Sequence, residues 1–387
     1  MVDLGIGQRE GMAIYVHVPF CPSKCGYCDF NSYAVGQLAS GEGIVDRTVR
    51  AIIAEIRGSR LAGVPAKTIF FGGGTPTYVS AEQLDELLRA VVETHPPVEG
   101  CEITSEANPG TVDASKFASM RASGFNRISL GAQSFLDSDL LRLDRVHRAG
   151  DIERAVDSAR SAGIGNLNLD LMFALPDQSV RAWNQNMARA LALAPEHLSL
   201  YCLTIEQNTA FYKKQLRNEL NLPDDESQRK MYEDCVSVCA DHGYGLYEIS
   251  NFAKAGRECQ HNLCYWRGEN YAGYGPGAVG CVPVEVDGQW GRMRTTNLKH
   301  PERYCDAVER GAVVYFEHEI LTDEVQEMER IMLGLRLTEG LTVESPNLGK
   351  LVDCGWLEDC EFGVESRYRL TPEGRHFCSE VALELIP

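Results

Sequence analysis

Over its first two hundred residues the chain alternates short β-rich runs with amphipathic helical stretches, and this alternation restricts its architecture more than any other pattern present. Ala13–Val18, Thr68–Phe71, Cys101–Ser105, Arg127–Leu130, Asn166–Leu171 and His197–Cys202 read as strands. Between them, Val45–Ile56, Ala81–Thr94, Ala114–Ala122, Ile152–Ala162 and Val180–Leu193 carry apolar residues at helical spacing. Strands joined by helical crossovers run parallel, with the helices packed on the sheet's outer face. Six such units tend to curl into a full or partial (β/α) barrel whose active site gathers at the C-terminal strand ends. A flat doubly wound sheet is the alternative that the pattern leaves open. The expected fold is therefore α/β, a partial (β/α)6 barrel over residues 1–210.

Beyond the barrel the pattern changes. Asp224–Asp241 reads as a helix, followed by a Gly-, Tyr- and Asn-rich stretch and two strands, Cys281–Val286 and Gln289–Arg294. Residues 211–320 are thus expected to form an α+β connector. A long helix over Asp323–Leu337, then Leu348–Cys354 and a β-wing near Arg369–Leu370 followed by Thr371–Glu380, mark residues 321–387 as a small helical, winged-helix-like module.

The chain has 387 residues and a formal charge of −18. Such a surface repels phosphate backbones, so broad nucleic-acid binding is disfavoured. No apolar run reaches the roughly 18 residues of a membrane span, and Met1–Gly11 has no secretory core, so the chain is expected to stay in the cytoplasm. Its fourteen cysteines are then expected to be mostly buried free thiols rather than disulfides.

Three of them break from that expectation. Cys21, Cys25 and Cys28 stand in CPSKCGYC, in the loop that leaves the first strand. Three thiolates at these gaps can surround one small metal object. A structural zinc ion wants four ligands, and no fourth lies nearby, His17 falling inside the strand. A [4Fe–4S] cluster takes one thiolate per iron, so three leave one iron open to chelate the amino and carboxylate groups of S-adenosylmethionine. A zinc site completed from a distance and an accidental spacing of buried thiols remain alternatives.

This loop, preceded by Tyr-x-His-x-Pro-Phe, resembles that of the radical SAM superfamily. Tyr15–Phe30 (YVHVPFCPSKCGYCDF) is similar in particular to the oxygen-independent coproporphyrinogen III oxidases and their relatives, the haem chaperones. The resemblance continues along nearly the whole chain. It implies cluster ligation by Cys21, Cys25 and Cys28, and S-adenosylmethionine held by Gly73, Gly74 and Thr75 after the second strand. It also implies nucleoside contacts from Glu106, Gln133, Arg145 and Asp170, with Tyr15 as a further site position. In the family an electron passed to the sulfonium cleaves it to methionine and a 5′-deoxyadenosyl radical. Two departures stand out. Asp144 replaces a glycine usual in relatives, where its carboxylate could pair with Arg145, and Ala174-Leu175-Pro176-Asp177 replaces Gly-Leu-Pro-Gly.

Two branches of the family compete. Oxidases resemble Cx3CxxCxC, but the fourth cysteine's place is held by Phe30, and only twelve residues precede the first strand here where oxidases carry a longer extension. His261-Asn262-Leu263-Cys264-Tyr265-Trp266 matches the HNxxYW signature of the haem-chaperone branch. Imidazole ligates haem iron well, and Tyr and Trp rings stack on a porphyrin. The other readings are a satisfied structural histidine, or ligation by Cys259 or Cys264. Tyr271–Ala278 (YAGYGPGA) is similar to both branches. The resemblance thus implies a haem chaperone with a [4Fe–4S] cluster and S-adenosylmethionine, carrying haem to haem-requiring respiratory proteins, with a homodimer left open. The alternative is an oxygen-independent coproporphyrinogen III oxidase. Cys235 and Cys239, four apart on one helix face, are expected to be core, as are Cys354 and Cys360.

Overall fold

The computed structural model describes residues 11–286, 288–362 and 365–386. The segment read as lacking a secretory core therefore lies outside the described residues, apart from Gly11.

Six parallel strands form the framework: β1 Met12–Val18, β2 Ala66–Gly73, β3 Pro97–Ala107, β4 Arg127–Gln133, β5 Leu167–Phe173 and β6 His197–Cys202. They neighbour one another in chain order, the arrangement of a (β/α) barrel rather than of a doubly wound sheet. The crossovers carry α1 Gly43–Arg57, α2 Ala81–Thr94, α3 Ala114–Ser123, α4 Ala149–Ser161 and α5 Val180–Ala192. Local chemistry sets several of their ends. Ser80 and Gln83 close a capping box on α2, while Asp113 caps α3 and Gly124 ends it at φ +118.

Side chains alternate across each strand. Ile14, Val16, Ile69, Phe71, Ile103, Leu169, Leu171, Leu198 and Leu200 belong to one core with the helices, each contributing about 1.5–3 kcal/mol by burial. The intervening residues, among them Tyr15, His17, Glu102, Glu106, Arg127, Ser129 and Asp170, are polar and turn to the barrel interior. That second face is where the chemistry can sit.

The barrel is partial, as expected, but its sheet does not stop at six strands. The connector adds β7 Gly245–Glu248, β8 Asn251–Ala253, β9 Tyr271–Tyr274, β10 Val279–Val286, β11 Gln289–Asn297 and β12 Tyr315–Leu321. The sheet order is β12-β11-β10-β9-β1-β2-β3-β4-β5-β6-β8-β7. β9 lies parallel to β1, with Tyr15 opposite Gly273, so the Tyr271–Ala278 stretch begins as a strand beside the first barrel strand. The connector's helices are α6 Ala210–Leu216, α7 Asp225–Asp241, α8 Gln260–Trp266 and α9 Pro301–Glu309. Cys235 and Cys239 of α7 are fully buried in the main core.

The C-terminal module has its own core of Ile331, Leu335, Leu351, Leu357, Leu370, Val381 and Leu385. It is built from α10 Asp323–Gly334, α11 Leu348–Asp353, the hairpin β13 Leu357–Phe362 with β14 Glu365–Leu370, and α12 Cys378–Leu385. Not every cysteine expected to pack does so: Cys202 and Cys354 are exposed, because Cys202 ends β6 at the barrel mouth and Cys354 follows the last turn of α11.

Candidate functional site

The loop leaving β1 is held at both ends. Phe20–Cys21 pairs in parallel with Tyr33–Ala34, and the Asn31 carbonyl meets His17 Nε2 at 2.9 Å. Lys24 reaches across, donating from Nζ to the Phe30 carbonyl at 2.7 Å and to Ser32 Oγ at 2.9 Å. Asn31 Nδ2 donates to the Pro276 carbonyl at 2.9 Å, which ties the loop to the connector. Within this frame Cys21, Cys25 and Cys28 line a cavity of about 390 Å³ at the C-terminal strand ends. Its size falls in the range of small-molecule sites.

Burial pushes the Cys21 and Cys28 thiols up; Thr75 Oγ1, 3.5 Å from Cys21 Sγ, and the Lys24 charge near Cys28 oppose it. Among the described residues no three His, Cys, Asp or Glu side chains converge tightly enough to hold one metal ion. The thiols stand apart around the wall, and one thiolate per iron requires no common point.

The same cavity is lined by Gly73, Gly74, Thr75, Glu106, Gln133, Arg145 and Asp170. Several of these seven residues are placed by a local device. Gly73 adopts φ +113, and a Cβ on Gly74 would lie 2.6 Å from the Phe20 carbonyl, so both positions need glycine. A register shift between Gly131 and Gln133 ends β4, with Gln133 at φ +62, which re-aims its amide into the cavity. Glu106 is buried and pushed up to about 8, first by desolvation and then by the Asp170 charge, with the Gly73 backbone amide opposing. Asp170 accepts from Ser129 Oγ at 2.9 Å and Asn168 Nδ2 at 2.8 Å. Arg145 donates to the Gly131 carbonyl at 2.8 Å and reaches Cys25 Sγ at 3.6 Å, while its buried Nε has no partner. The pairing of Asp144 with Arg145 does not form: Asp144 turns its carboxylate over Gly26 instead. Asp144, Ala174 and Asp177 have φ of +57, +59 and +59, the conformation glycine favours at the places where relatives carry it.

Residues 15–189 match the model of the radical SAM superfamily. Across 85% of its length the chain is 40% identical to "Heme chaperone HemW" of Bacillus subtilis, covering 84% of that protein. The chain belongs to the HemW family. Its likeness to the HemW of Escherichia coli spans 97% of both chains at 36% identity, and 36% identity holds over 87% of this chain and 83% of the HemW of Mycobacterium tuberculosis. The fold matches that of coproporphyrinogen III oxidase (HemN) from Escherichia coli, a radical SAM enzyme, with a TM-score of 0.80 over 99% of this chain and 92% of that one at 19% identity.

The HemW-type motif on α8 sits apart from the thiols. His261 is 1% exposed, with Nδ1 at 2.8 Å from Thr68 Oγ1 and Nε2 at 3.0 Å from the Tyr265 hydroxyl. Its ring stacks on Phe70 at 4.9 Å, and burial pulls it down to about 3. Ligation of iron at either nitrogen requires one of these bonds to break. Glu102 accepts from the His261 amide at 3.1 Å and the Gln260 amide at 3.3 Å, capping α8 on the barrel floor. Trp266 lies under the Arg336 guanidinium, 4.4 Å away, as a joint to the C-terminal module.

Tyr15 is placed outside the thiol cavity. It donates to or accepts from His17 Nδ1 at 3.0 Å and lines a second recess, together with Phe30, Glu106, Tyr265, Tyr271 and Arg294. Tyr201 and Cys202 in the first cavity were not singled out from sequence, although both end a barrel strand, and that position is itself the signal.

Proposed function

We propose that this chain is a cytoplasmic haem carrier that holds a [4Fe–4S] cluster and S-adenosylmethionine and passes haem to respiratory proteins. The observation that carries the reading is the gathering of three loop thiols, the Gly73-Gly74-Thr75 turn and Glu106, Gln133, Arg145 and Asp170 on one cavity. The residues fit both groups. Cys21, Cys25 and Cys28 would ligate the cluster, and the unpartnered Nε of Arg145 is a buried donor awaiting an acceptor. When bound, the two supply one-electron cleavage of the sulfonium.

The chain's own part is binding and orientation. The backbone at Gly73 and Gly74 lets a ligand approach closely. Glu106, protonated near neutral pH, can donate as well as accept a hydrogen bond toward a ribose hydroxyl. Asp170, fixed by Ser129 and Asn168, offers a second acceptor. Arg145 places positive charge beside the thiol of Cys25 on the cavity wall.

The haem part of the reading is supported by the HemW relatives. The test is anaerobic reconstitution followed by two assays on one sample. Titration with haem should saturate at one equivalent with a shifted Soret band, and coproporphyrinogen III should release no carbon dioxide. A flat titration sinks the carrier, and carbon dioxide release would make the chain an oxidase. Cys25→Ser should lower bound iron at least severalfold; unchanged iron contradicts the ligand assignment.

A further inference from the structure

The residues in and beside the HNxxYW stretch that could bind iron are bonded or buried. Both nitrogens of His261 are hydrogen-bonded, and Cys259 and Cys264 are buried, the Cys259 thiol lying 3.6 Å from Glu102 Oε1. The second recess, about 580 Å³, adjoins the thiol cavity, and Phe30, Gly73 and Glu106 line both. Its walls carry Tyr15, Phe30, Tyr265 and Tyr271, with Arg294 at one side. Aromatic walls and a guanidinium suit a flat, largely apolar macrocycle with anionic side groups.

Three tyrosines face this recess, and two are committed. The Tyr15 hydroxyl bonds His17, and that of Tyr265 bonds His261. Tyr265 also holds the Tyr271 ring edge-on, 4.7 Å between centroids. The Tyr271 hydroxyl has no hydrogen-bond partner among the described residues and is not sealed in protein, and the residue lines both this recess and an adjoining one of about 630 Å³ that runs toward Arg267 and Glu329. Phenolate is an established class of axial ligand to haem iron. We infer that the second recess holds the haem and that Tyr271, rather than His261, ligates its iron. This rests on the haem-carrier reading above. Burial, with Cys281 and Glu329, holds the free phenol up at about 12, while Arg294 and Arg292 pull it down. A bound ferric ion supplies the remaining stabilisation of the anion. Ligation exchanges the phenolic O–H bond for an O–Fe bond and releases the proton to water; the iron stays ferric throughout.

The test uses the full chain, wild type, Tyr271→Phe and His261→Gln, each titrated with ferric haem and followed by absorption and resonance Raman spectroscopy. Phe retains the ring contact with Tyr265, and a thermal melt checks that Tyr271→Phe is folded. Wild type should show iron–phenolate vibrations, and its haem affinity should rise about tenfold per pH unit below the phenol's own range, since one proton leaves on binding. Tyr271→Phe should lose the vibrations and the pH slope and bind at least tenfold more weakly, whereas His261→Gln keeps the vibrations. Haem binding by the wild type without phenolate vibrations, or an unaltered Tyr271→Phe, overturns this inference and leaves the carrier reading standing. A wild type that takes up no haem overturns both.

Discussion

Glu102 is the residue that docks the HNxxYW helix onto the barrel, and replacing it by Gln should destabilise the protein by about 4 kcal/mol. The carboxylate is 8% exposed and stands 3.9 Å from Nε of Arg127, itself 2% exposed and without another partner at that atom. At an effective dielectric of 20, a pair at this distance is worth about 4 kcal/mol. Glu102→Gln also puts an amide N–H where Glu102 now accepts from two backbone amides, at 3.1 and 3.3 Å, so one of those bonds is lost. Breaking a buried pair commonly costs about 3–5 kcal/mol, because the remaining charge is stranded. With roughly 2.1 cal/mol/K per residue of unfolding entropy, 4 kcal/mol over 387 residues lowers Tm by about 5 °C. The assay is a thermal or urea melt of Glu102→Gln, Arg127→Met and the double variant. The double should lose at least about 2 kcal/mol less than the sum of the singles. A single-variant loss under about 1 kcal/mol, or strict additivity, would refute the pairing.

Further outcomes follow from the cavity. Glu106 is held near 8 in the folded protein and titrates near 4.5 when unfolded, so the folded state binds the extra proton between those values. Stability should fall as pH rises from about 4.5 to about 8, by at most about 1.36 kcal/mol per unit. Glu106→Gln should remove that slope from the difference between melts. Gly74→Ala would set a methyl against the Phe20 carbonyl and should cost about 1–3 kcal/mol while reducing bound iron, measured on the reconstituted protein. Arg145→Met removes a charged donor from the cavity and should weaken S-adenosylmethionine binding about tenfold or more by calorimetry, an expectation that unchanged affinity would contradict.

The thiol loop was readable from sequence because its three cysteines fall within eight residues and their spacing is the signal. Glu106, Gln133 and Asp170 were readable because strand ends in an α/β barrel point to one place, whatever the distance along the chain. The boundaries of β6 and α2 came out as their periodicity suggests, since each has clear punctuation at its ends. What sequence did not show is pairing between distant segments. Nothing in Tyr271–Tyr274 says that it lies beside β1, more than 250 residues earlier. For the same reason the enclosure of His261 by Thr68, Phe70 and Tyr265 was hidden, and an imidazole that looks like a free ligand on a motif is fully bonded in the fold.

The seat of β9 against β1 has a consequence for biosynthesis. A ribosome adding about 5–20 residues per second needs roughly 13–50 s to make the chain between these two strands. Until then the first strand lacks one neighbour, and Asn31 lacks the Pro276 and Lys299 carbonyls that hold the far end of the thiol loop. The loop is therefore made well before it is clamped, which leaves an interval during translation when its three thiols are open to other molecules.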